Sequence, residues 1–150
     1  MRILLVCALL GVGCGGSTVP PVSVQFSSES GTPAALGAGF ASSAGKVTLA
    51  EGSITLESHT IDGDLLITCD DPTDPITIAV DEHFLAVNYT LPDGTAWAST
   101  IPDNGTAGTV TFKTVVSPVQ VTITHMAMTG AGSPAGMGTF FIDGNAEFTQ

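Results

Sequence analysis

The chain has 150 residues, 43% of them hydrophobic and only 11% charged, with fourteen Asp and Glu against three Lys and Arg for a formal net charge of −11. That balance excludes nucleic acid and anionic lipid headgroups as partners, because both are bound through basic patches. It equally excludes a disordered acidic tail, since the apolar share can fill a core.

The first residues read as a leader. Arg2 gives a positive start, and Ile3 to Val12 form an apolar run of about ten residues, well short of the roughly 20 that span a bilayer. Gly13 and Cys14 follow as a small residue and a cysteine, and Gly15, Gly16 and Ser17 begin a tether. The pattern resembles a bacterial lipoprotein signal, which implies cleavage before Cys14 and acylation of that cysteine. Gly15 resembles the residue that sends such lipoproteins to the outer membrane. An ordinary secretory signal, cut near Gly13 or Ser17, is the alternative. Removal of the leader takes away Arg2 and Cys7, leaving Lys46 and Lys113 as the strong cations and Cys69 as the free thiol. Cys69, followed by Asp70 and Asp71, reads as a buried small hydrophobe on a strand.

From residue 22 the period is two. Val22, Val24 and Phe26 alternate with polar residues. Residues 28–45 are small and Gly-rich, a loop carrying Leu36 and Phe40 as core plugs. Val47 and Leu49 lead to a Glu51-Gly52 turn, then Ile54 and Leu56 to an Asp62-Gly63 hairpin signal, then Leu65, Ile67 and Cys69 on one face. Asp70–Pro75 is a turn before Ile76, Ile78 and Val80, and a strand from Phe84 to Leu91 follows. Pro92-Asp93-Gly94 turns into a strand with Trp97, and residues 102–105 turn into Val110 and Phe112. Val119, Val121 and Ile123 alternate through to His125. A second Gly-rich loop, residues 129–136, precedes Gly138–Ile142, and Asp143-Gly144 signals a last hairpin to Ala146 and Phe148.

About nine or ten short strands with no amphipathic helix predict an all-β fold, an antiparallel β-sandwich with a closed barrel as the alternative. The organisation is a signal peptide over 1–13, a lipidated cysteine and tether over 14–21, and one sandwich domain over 22–150. The segments Gly108-Thr109-Val110-Thr111-Phe112, Val121-Thr122-Ile123-Thr124 and Gly138-Thr139-Phe140-Phe141 resemble the closing strands of small bacterial all-β lipoproteins of unknown function. The resemblance covers the C-terminal third and implies the fold without a role.

Two metal readings arise. His125-Met126, ten residues, then Met137 resembles the first half of the pattern of periplasmic copper chaperones, and Met128 adds a thioether; imidazole and thioether suit Cu(I). The pattern's second half is absent. Asp62, Asp64, Asp70, Asp71, Asp74, Asp81 and Glu82 crowd predicted turns, where carboxylates bind Ca²⁺, although none fits an EF-hand and Asp is itself a turn former. Trp97 and Tyr89 flank the Pro92–Gly94 turn and, if exposed, would stack on sugar rings; more often such residues are core partners. The motifs G-x-S-x-G, S-x-x-K and H-E-x-x-H are missing, so no recognised hydrolase signature stands and a non-enzymatic role is expected. The expectation is a lipid-anchored cell-envelope module with a binding or structural role and a protein or glycan partner left open, with a copper or calcium protein as its rival.

Overall fold

The computed structural model describes residues 21–27, 36–72, 75–102 and 105–150. The leader, Cys14, most of the tether, Thr32-Pro33, Asp74 and Asn104 lie outside them. The described residues form eleven strands: β1 (Val22–Ser27), β2 (Gly39–Ser42), β3 (Lys46–Ala50), β4 (Ser53–Thr60), β5 (Gly63–Asp70), β6 (Ile76–Ala79), β7 (Ala86–Thr90), β8 (Ala96–Ser99), β9 (Thr109–Thr114), β10 (Val119–Ala131) and β11 (Thr139–Phe148). The fold is all-β. Every strand pairing is antiparallel, as hydrophobic alternation joined by short turns requires.

The strands make one sheet curled into a half-barrel, with two walls facing each other across the core. One wall runs β2-β1-β11-β10-β9-β6, the other β8-β7-β5-β4-β3. They meet at β10, whose first half pairs with β9 (Thr122 opposite Thr111) and whose second half pairs with β8 (Gly130 opposite Trp97). At the opposite corner Val47 N–H donates to the Thr149 carbonyl, and Thr149 N–H to the Gly45 carbonyl, both at 3.0 Å.

The inward residues are those the period-two pattern predicts. Val24, Phe26, Ile54, Leu56, Leu65, Ile67, Cys69, Val110, Phe112, Val121 and Ile123 are all buried, with Leu36 and Phe40 among them. Phe26, Phe40 and Phe140 of one wall meet Tyr89 and Trp97 of the other in edge-to-face contacts with centroids 5.0–5.8 Å apart. Such contacts add about 0.5–1.5 kcal/mol each beyond the area they bury.

The structure corrects the sequence reading at four places. Within the Gly-rich stretch of 28–45, residues 39–42 form β2, paired to β1. Phe84 lies in a 3-10 turn (Glu82–Phe84) and is exposed, with φ +48, so the strand begins only at Ala86. The loop expected at 129–136 starts later, because β10 continues to Ala131. Asp143-Gly144 is no hairpin: β11 passes straight through it. Gly144 lies where β1 approaches so closely that a Cβ would collide with the Ser23 carbonyl and crowd Val24, and Gly serves a close backbone approach as readily as a turn.

Candidate functional site

The break in β10 builds the site. Between Ile123 and Met126 the strand advances three residues while its partner advances two, from Gly144 to Ile142, which is a β-bulge. His125 sits in it at φ +47, and its backbone N–H donates to Asp143 Oδ1 at 2.7 Å. The extra residue reverses the phase. His125 leaves the inward row begun by Val119, Val121 and Ile123, and Met126 and Met128 take its place in the core. The imidazole stacks on Phe141 with centroids 4.0 Å apart and planes 11° apart. Its side chain is 61% exposed, so the second ring face meets solvent.

The copper set therefore does not assemble. His125 points out while Met126 and Met128 are fully buried. Met137 is 84% exposed, beyond the Thr129–Thr139 pair, which lies four residues or roughly 13 Å along β10 from His125. The described carboxylates of the calcium set are likewise dispersed or engaged; Asp74 lies outside the described residues. Asp64 bonds the His59 ring (2.9 Å), Glu82 accepts the Ala79 N–H (3.0 Å), Asp70 and Asp71 are exposed at the end of β5, and Asp81 is exposed after β6. Among the described residues no group of three or more His, Cys, Asp or Glu is placed to hold a metal ion.

Trp97 and Tyr89 are each 2% exposed, which removes both as stacking platforms. Gly136 lies so close over Trp97 that a Cβ there would enter the indole ring, and the buried indole N–H has no hydrogen-bond partner among the described residues. The Tyr89 hydroxyl donates to the Asp62 carbonyl at 3.3 Å. Burial, and after it Asp62 and Asp64, raise the Tyr89 phenol above its ordinary value.

What the fold does assemble is a groove of about 640 Å³ on the solvent face of the six-stranded wall. Its axis is β11, where Asp143, Asn145 and Glu147 alternate with the core residues Ile142, Ala146 and Phe148. Across the register, Gln25 opposes Asp143, Ser23 opposes Asn145, and Gln120 opposes Glu147. Neighbours fix these side chains: Gln120 Nε2 donates to Glu147 Oε2 and Thr122 Oγ1 to Asn145 Oδ1, both at 2.8 Å. Lys113 borders one end, and the His125–Phe141 stack adjoins Asp143 at the other.

Sequence reasoning missed this groove because Asp143-Gly144 read as a turn. The i, i+2 series Asp143, Asn145, Glu147 was the available signal, and a continuous strand makes it one polar row. Compared with protein-family models, characterised proteins and solved structures, the chain finds no match.

Proposed function

We propose that the chain is a non-catalytic binding module of the bacterial cell envelope, held at the outer membrane by an acylated Cys14, with the groove along β11 as its docking face. The observation that carries the binding half is the row of polar side chains on β1, β10 and β11. Asp143, Asn145 and Glu147 are each held by a β10 neighbour and keep a further donor or acceptor for a partner. The leader supplies the location: Arg2, the short apolar run and Gly13-Cys14 are the features of a lipoprotein signal, and a multiply acylated cysteine anchors stably. The described domain starts within ten residues of Cys14, so the tether holds it close to the membrane.

Each half has its own test. Cys14→Ala releases the protein from washed membranes into the soluble fraction; retention with the outer membrane overturns the anchor. A photo-cross-linking residue at position 145 gives adducts in living cells, whereas one at position 66, on the solvent face of the other wall, does not. Equal silence at both positions removes the groove as a docking face.

A further inference from the structure

The composition of the groove defines its ligand more narrowly. This step rests on the docking reading above. Along β11 the outward residues Phe141, Asp143, Asn145 and Glu147 follow one another at about 6.8 Å and cover roughly 20 Å. They carry a phenyl ring, an amide and two carboxylates. Glu147 keeps one carboxylate oxygen beyond its bond from Gln120, and Asn145 keeps its NH₂ because Thr122 occupies its carbonyl oxygen. Asp143 takes the His125 N–H on Oδ1, and its Oδ2, 3.9 Å from His125 Nδ1 and beyond hydrogen-bond distance of it, keeps lone pairs toward the groove. Gln25 and Ser23, opposite on β1, add an amide and a hydroxyl. The row therefore offers acceptor, donor and acceptor in sequence, with groups of both kinds facing it across the groove.

Such alternation suits a ligand whose own groups both donate and accept at short intervals, and hydroxyls are that group. Asp143 and Glu147 would draw a cationic ligand, and the salt dependence measured below separates such a ligand from a neutral one. An anion is opposed by Asp143 and Glu147 and by the net charge of −11. The His125 ring completes the arrangement. Backed by Phe141 and open on its other face, it is a flat aromatic surface beside the polar row, against which the C–H face of a sugar ring packs. The left-handed backbone at the bulge points the ring outward. We infer that the groove binds a neutral oligosaccharide, with Asn145, Asp143 and Glu147 bonding its hydroxyls and His125 stacking on one ring.

The full chain, extracted in a detergent without a sugar headgroup, is titrated calorimetrically with neutral trisaccharides of glucose, of galactose and of N-acetylglucosamine. At least one binds with a Kd at or below about 1 mM. Raising salt from about 50 mM to about 500 mM leaves that Kd unchanged, as a neutral ligand requires. Asn145→Ala weakens binding at least tenfold. His125→Asn, which keeps a residue tolerant of left-handed backbone but deletes the ring, weakens it severalfold. Both variants keep the thermal midpoint within a few degrees. No heat with any of the three at ~10 mM overturns the inference. So does binding that Asn145→Ala and His125→Asn leave intact, or binding that salt abolishes. Cross-linking at position 145 without saccharide binding leaves the docking face standing and removes the sugar alone.

Discussion

Cys69 shows how burial decides the chemistry of a side chain. It lies in the core on β5, and burial first, then Asp70 and Asp71, push its thiol from the ordinary 9.0 up to about 11. A thiol so placed is neutral at physiological pH and a poor nucleophile. In the native protein it is expected to resist iodoacetamide at pH 8 and to react only as the chain unfolds, which mass spectrometry reads directly. The same shift sets a pH dependence. The folded state favours the protonated thiol, so this contribution is complete below about pH 9 and is lost as pH rises through about 11. Tyr89 is raised in the same direction and adds to the alkaline loss. Urea unfolding at successive alkaline pH values should show stability falling across that window, less steeply in Cys69→Ala. Asp93 moves the opposite way: the Thr95 N–H on its carboxylate lowers it, which stabilises the turn between β7 and β8 at neutral pH.

At the scale of elements, β10 carries the architecture. Its N-terminal half completes one wall, its C-terminal half starts the other, and the bulge at His125 keeps both halves facing the core across the change of phase. Asp143→Ala removes the acceptor that holds the His125 N–H and is expected to cost about 1 kcal/mol. Thermal unfolding measures the loss, and amide exchange at 125 should rise with it. Most strands were legible in the sequence, because Ile54 to Leu56, Leu65 to Cys69 and Val119 to Ile123 alternate cleanly and one buried face admits one register. The departures share a cause. A local signal names a residue preference, not the reason for it. Gly144 answers to the approach of β1, His125 to an extra residue that no alternation rule counts, and β2 to pairing with β1 despite a Gly-rich neighbourhood. The burial of Trp97 and Tyr89 follows from which wall each strand joins, and short-range pattern does not specify that. Lost with them was the groove, since its row exists only once β11 is one strand.

On the scale of the whole molecule, closure depends on a small corner. Thr149 ties the edge of β3 to the strand that ends at Phe148, through two backbone hydrogen bonds of 3.0 Å. Deleting residues 149–150 should cost about 2 kcal/mol, at roughly 1 kcal/mol per bond, with faster amide exchange at Val47 and little change at Ile67 in the middle of its wall. The pairing of β1 with β11 has a wider consequence. Beyond its short neighbour β2, β1 finds its other partner only in β11, more than a hundred residues away, so no N-terminal portion can settle into the finished sheet on its own. Under the proposed export route, a chain threaded through a translocation pore from its N-terminus would stay open until β11 emerges. On that route, the topology that makes the domain slow to close is also what would keep it threadable.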